Sequence, residues 1–96
     1  MLLKNKVAII TGSNRGVGRQ TAELLSKYGA KVVINCRHHD SEAEDVVSTI
    51  QQQGGEATYI KADTRHPESV DLLISQTLML WDRIDILINN ASEFLP

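Results

Sequence analysis

Three glycines stand where main-chain chemistry is possible. Gly12, Gly16 and Gly18 follow the apolar run Val7–Ile10 and precede a helical periodicity through Val17, Ala22, Leu24, Leu25 and Tyr28. A short run of β-branched and small apolar residues reads as a buried strand. Strand, glycine turn and helix, in that order, present bare backbone N–H groups and a helix N-terminus to an anion. Glycine has no Cβ, so it takes positive φ and lets a pyrophosphate approach the main chain. The expected chemistry is a nucleotide-phosphate cradle. A turn that only joins strand to helix is the plainer alternative, and the correctly ordered signals on both sides argue against it.

The spacing over residues 11–18 is Thr-Gly-x3-Gly-x-Gly. It resembles the cofactor motif of the short-chain dehydrogenase/reductase family. A second segment, Asn89-Asn90-Ala91-Ser92 at the close of an apolar strand, resembles that family's Asn-Asn-Ala-Gly. The resemblance covers the whole chain but only the N-terminal part of the family's domain. It implies cofactor contacts from Gly12, Ser13, Asn14, Arg15, Gly16, Val17 and Gly18, and from Asn90, Ala91 and Ser92. Asn90 would approach the adenosine ribose, and Asn89 would bond neighbouring backbone. Thr11 would tie the first strand to the fourth. Asp63 carries over as acceptor for the adenine amino group, with the backbone of Thr64 lining the ring pocket. The plainer reading of Asp63 is a loop cap.

The residues just past the second strand bear on cofactor type. A carboxylate near that strand's end binds the ribose 2′-OH of NAD and repels a 2′-phosphate. Here the positions are Asn35, Cys36, Arg37, His38 and His39, with no acid before Asp40. Arg37 offers a planar fork of donors to a phosphate, and Arg15 in the glycine turn can face the same place. The pair resembles the two basic positions of NADP-preferring family members, so NADP(H) is expected over NAD(H). His38 and His39 lack the convergent Cys or His partners that a metal site needs and read as loop residues. Cys36 reads as a small residue at a strand end; a reactive thiol is the sharper alternative.

These residues require elements to hold them. The first helix is expected from Gly16 to Tyr28, with Gly29 as a left-handed cap. Residues 31–36 read as the second strand, and the short crossover implies parallel pairing. Ser41-Glu42-Ala43-Glu44 has the form of a capping box, with Ser41 as N-cap. Ala43, Val46, Val47 and Ile50 then make one apolar stripe, which stops before Gly54-Gly55. Residues 57–61 form the third strand. The family tends to place Ser or Thr where Arg65 stands, so the next helix should start about a kcal/mol weaker unless Thr64 caps it. Pro67 suits that helix's first turn. Val70, Leu73, Ile74, Thr77 and Trp81 form its core stripe, leaving Leu72, Met79 and Leu80 off it. Trp81-Asp82 replaces the family's Phe-Gly, so the turn into the fourth strand should use other backbone geometry. That strand, residues 84–88, is apolar at both parities, which implies burial on both faces. The fold class expected is α/β: the N-terminal part of a Rossmann doubly wound parallel sheet, βαβαβαβ, strand order 3-2-1-4, truncated, and one partial domain over residues 1–96.

Composition sets the outer bounds. Ninety-six residues with 42% hydrophobic and 23% charged side chains and a formal net charge of −2 suit one small soluble unit. No basic run favours nucleic acid, and no apolar run is long enough for a membrane span or signal peptide. One cysteine cannot form an internal disulfide, which fits a reducing, cytoplasmic compartment.

The family's reaction uses a Tyr-x3-Lys pair and an upstream Ser, all C-terminal to the stretch seen here. The residue four after Tyr28 is Val32 and that four after Tyr59 is Asp63, so neither tyrosine makes the motif. The resemblance therefore implies the NADP(H)-binding part of a short-chain oxidoreductase, similar to members of the 3-oxoacyl-carrier-protein reductase type. Hydride would pass between nicotinamide and a carbonyl or alcohol carbon, with no turnover by these 96 residues alone. A non-catalytic NADP-binding module or subunit is the second expectation, and a truncated product that binds nothing the third. An open, apolar edge on the fourth strand predicts self-association or pairing with a C-terminal complement.

Overall fold

The computed structural model describes residues 1–91. Seven elements alternate along the chain: β1 (Val7–Ile10), α1 (Gly16–Lys27), β2 (Lys31–Ile34), α2 (Asp40–Gln52), β3 (Glu56–Tyr59), α3 (Pro67–Trp81) and β4 (Ile86–Ile88). The strands pair in parallel in the order β3-β2-β1-β4, as expected. The register sets Val7 opposite Lys31 and Ile10 opposite Ile34, so β1 and β2 end level.

The alternation of side chains along a strand divides the core into two layers. Ala8, Ile10, Val32 and Ile34 point to the face covered by α1 and α2, where Ala22, Ala43, Val46 and Ile50 meet them. Ile9 and Val33 point to the other face, beneath Leu73 of α3 with Ile60 and Ala62. All four residues of β1 are fully buried, because this strand has a neighbour on each edge and a helix layer on each face. Helices on both faces of a parallel sheet make the fold doubly wound.

Several local expectations are corrected. The Ser41 capping box does not form: α2 starts two residues earlier than a Ser41 cap implies, at Asp40, with His39 in the cap position and no side-chain cap bond. Glu42 instead accepts from Asn14 Nδ2 at 2.9 Å, so a tertiary contact takes up part of that acidic first turn. Thr64 does not cap α3 either. His66 holds the cap position without a side-chain bond, and Pro67 occupies the start of the helix as expected. The turn after α3 uses the left-handed geometry of a glycine after all, adopted by Asp82 at φ 60. β2 and β3 end earlier than expected, and β3 begins one residue sooner.

β4 differs most. It spans three residues rather than five, and both-face burial is not found: Ile86 and Ile88 are half-buried and Leu87 is 60% exposed. Among the described residues β4 pairs with β1 alone, so one of its edges has no strand partner. Its approach is fixed by Asp85. The Asp85 amide donates to Val7 O at 2.9 Å, and Asp85 Oδ2 accepts from the Val7 amide at 2.9 Å. Arg83 closes a two-bonded fork on the same carboxylate, Nε and Nη2 each at 2.8 Å. The Arg83 bonds first, then the Val7 amide, hold the Asp85 carboxyl at about 2, below the usual carboxylate range.

Candidate functional site

Parallel strands that end level leave their C-terminal tips on one side of the sheet. There a cleft of ≈ 690 Å³ opens, lined by Thr11, Gly12, Asn14 and Arg15, by residues 35–39, 62–65 and 89–91, and by Val70, Leu73 and Ile74 of α3. Most of the residues singled out by sequence converge here from four strand tips.

The glycine turn is held from below. Thr11 Oγ1 donates to Asn89 Oδ1 at 3.0 Å and accepts the amides of Asn90 at 2.9 Å and Ala91 at 3.0 Å. Thr11 thus ties β1 to the tip of β4, as expected. Asn89 serves the Thr11 hydroxyl rather than neighbouring backbone. Asn90 Nδ2 donates to Gly12 O at 3.0 Å, so its side chain braces the turn from beneath. Ser13 is fully buried; its hydroxyl donates to Ile10 O at 2.6 Å and accepts the Asn35 amide at 2.9 Å. Ser13 acts as a rivet between β1 and β2 and does not line the cleft.

Two of the glycines are forced by backbone shape and one by packing. Gly12 at φ 61 and Gly16 at φ 64 occupy left-handed geometry that strains any L side chain. A Cβ on Gly18 would sit 2.3 Å from Gly12 O and 2.6 Å from Asn90 Nδ2. A Cβ on Gly16 would meet nothing within 4 Å, so the space beside it is open.

α1 begins behind this turn with Arg15 in an extended cap conformation and no side-chain cap bond. The amides of Gly16, Val17 and Gly18 come too early in the helix for intrahelical partners. Among the described residues no acceptor bonds them. Open donors, a positive helix end and empty space beside Gly16 together fit a diphosphate. Val17 itself is 70% exposed and contributes main chain, not side chain, to this shape.

The other end of the cleft is charged. Arg15 Nη1 lies 4.0 Å from Glu42 Oε2, and Arg37 Nη1 lies 4.0 Å from Asp63 Oδ2. Both are long contacts at partly exposed side chains, weak enough to rearrange around a stronger anion. Asp63 accepts from the Arg65 amide, from Arg65 Nε and from Arg65 Nη2, the last at 2.7 Å. The Arg65 side-chain bonds first, then its amide, hold the Asp63 carboxyl far below the usual range. Thr64 and Ala91 line the cleft, while Ser92 lies outside the described residues. His38 and His39 line it as well, their rings tilted at 46° to each other with centroids 4.8 Å apart.

One site residue has no counterpart among the sequence expectations. Asn35 is buried, and its Nδ2 donates to Ile60 O at 3.0 Å and Ala62 O at 3.3 Å, joining the tips of β2 and β3. A polar residue directly after an apolar strand was the signal for it, since burial without partners would be costly.

A parallel sheet wound on both faces, with an uncapped glycine turn and a cleft across its C-terminal edge, is a Rossmann architecture. Comparison with known proteins agrees. A family model described as short chain dehydrogenase matches residues 6–93, and the chain belongs to that family. It is 43% identical over 89 residues to a 3-oxoacyl-[acyl-carrier-protein] reductase of Synechocystis, covering 93% of this chain and 36% of the relative. It is 39% identical to the short-chain dehydrogenase/reductase homolog YusS of Bacillus subtilis, covering 96% of this chain and 84% of YusS. A solved short chain dehydrogenase of Burkholderia cenocepacia in complex with NADP superposes with a TM-score of 0.94 at 34% identity. That match covers 99% of this chain and 39% of the solved one. The chain thus spans about a third of the length of most of the curated relatives it matches.

Proposed function

We propose that this chain supplies the NADP(H)-binding part of a short-chain oxidoreductase. The observation that carries the reading is the uncapped start of α1 behind Gly12 and Gly16, with open space beside it. The diphosphate takes the amides of Gly16, Val17 and Gly18. Arg15 and Arg37 take the 2′-phosphate, replacing their 4.0 Å contacts to Glu42 and Asp63 with shorter ones. When bound, the cofactor supplies hydride exchange with a carbonyl or alcohol carbon. The residues present bind and orient it, and neither tyrosine sits in a Tyr-x3-Lys pair. The 96 residues alone are therefore expected to bind without turnover. A cytoplasmic setting belongs to the same proposal, consistent with a single buried, unbridged cysteine.

Calorimetric titration tests the reading. NADPH should bind at least about tenfold more tightly than NADH, the scale of a lost charge-assisted contact. Arg37→Ala should weaken NADPH and leave NADH nearly unchanged. Tighter NADH binding would overturn the cofactor assignment.

A second reading has one observation in its favour. The chain covers 84% of YusS, so a protein of similar extent exists in the family. On that reading the chain is a binding module that pairs with a separate C-terminal piece along β4. NADPH oxidation appearing only on mixing the two pieces would support it, and inactivity of every mixture would count against it.

A further inference from the structure

We propose that Glu42, in the first turn of α2, sets how strongly the phosphorylated cofactor is preferred, by acting as a built-in rival anion for Arg15. This role rests on the cofactor reading above and concerns the 2′-phosphate end of the same cleft.

The Glu42 carboxylate meets three residues that line the cleft, Asn14, Arg15 and His39. Oε1 accepts from Asn14 Nδ2 at 2.9 Å, and His39 Nδ1 stands 3.6 Å from the same oxygen. Oε2 lies 4.0 Å from Arg15 Nη1.

These contacts are unequal. Asn14 is buried, and its amide nitrogen would be costly to leave without an acceptor. That bond keeps the carboxylate beside the glycine turn. The start of a helix also favours an acidic side chain in this place. Arg15 is the opposite case: its side chain is mostly exposed, and its contact is at the outer limit of an ion pair. When a phosphate arrives, the arginine moves and the carboxylate stays. The phosphate then shares one guanidinium with a fixed charge of its own sign, and like charges that close repel. NADH has no charge at its 2′ position and meets no such cost there. Glu42 therefore lowers the preference for the phosphorylated cofactor by acting through Arg15. Its own side chain is partly exposed, so the effect is graded rather than a block.

The test removes the charge and keeps the shape. Glu42→Gln retains an acceptor for Asn14 at a partly exposed helix position, so the fold is kept. In calorimetric titration of the 96-residue chain, the variant should raise the ratio of NADH to NADPH dissociation constants at least about threefold. A smaller rise, no change or a fall would overturn the inference. Glu44→Gln takes the same charge from the same helix, but Glu44 lines a separate groove between α2 and β3. It should leave the ratio within about twofold of the unmodified chain's. A rise there equal to that of Glu42→Gln would overturn the inference, because net charge alone would then account for it. Added sodium chloride should narrow the gap between Glu42→Gln and the unmodified chain. A gap indifferent to salt would mark an altered turn rather than a lost rival, and would count equally against the inference. No binding of either dinucleotide by the unmodified chain would defeat the cofactor reading together with this one; NADPH still bound, with an unmoved ratio in Glu42→Gln, would defeat this one alone.

Discussion

Thr11 shows how much one hydroxyl can organise. Its Oγ1 serves the Asn90 and Ala91 amides and the Asn89 side chain at once. Thr11→Val keeps the shape and leaves two partly buried amides without their acceptor, each worth about 1–3 kcal/mol. A loss of about 2 kcal/mol or more in urea unfolding is expected, with weaker NADPH binding alongside. At Gly18 the fault would be steric: an added Cβ meets Gly12 O, a backbone atom that cannot easily move. Gly18→Ala should cost about 1–3 kcal/mol by overpacking, read as a lower Tm. Asp85 makes a prediction in pH. Its folded carboxyl sits at about 2, below an unfolded value near 3.8, so it stabilises the fold above pH ~4. That contribution fades as pH falls from ~4 to ~2. Asp85→Asn should be less stable at neutral pH and should show a shallower acid transition over that window. Much of this site was legible because glycine spacing and strand-end polarity are local signals. The rivets at Ser13, Asn35 and Asn90 were not, because each depends on a partner brought near only by the fold.

Elements were legible where one strong period dominated and misread where a cap decided. The stripe Ala43, Val46 and Ile50 is buried as its spacing predicts. The Ser41 box failed because the helix starts before it: Ser41 lies inside α2, and His39 holds the cap position without a side-chain bond. At the end of α3, Asp82 holds φ 60 without the glycine that suits it. Left-handed geometry costs an L residue about 1–2 kcal/mol, less for Asp, and glycine returns about 0.5–1 in unfolded-chain entropy. Asp82→Gly should therefore be neutral to slightly stabilising, and Asp82→Val destabilising by about 1–2 kcal/mol. Thermal melts of the pair check the order. The double-sided apolar pattern of β4 misled for a different reason. It reports what the strand is suited to lie between, and the described residues supply only β1 as its neighbour.

At the scale of the molecule the exposed large apolar residues lie at Met1 and Leu2, along α1 and α3, and at Leu87 of β4. Leu87 is 60% exposed beside an edge with no strand partner among the described residues, and Met79 and Leu80 of α3 are 86% and 54% exposed. Unpaired edges and open apolar area favour association. Sedimentation of the 96-residue chain should show species heavier than a monomer, and Leu87→Lys should shift the distribution toward monomer. A concentration-independent monomer would contradict this. The bonds between the glycine turn and residues 89–91 carry one more consequence. They join positions 78 to 80 apart in sequence. A ribosome releases the N-terminal loop long before its anchor. Until β4 docks, Gly12 O lacks its Asn90 donor and Thr11 Oγ1 its partners, and the glycine turn keeps only the Ser13 bonds to β1 and to Asn35 after β2. A completed turn would then signal that synthesis and docking of this whole stretch have finished.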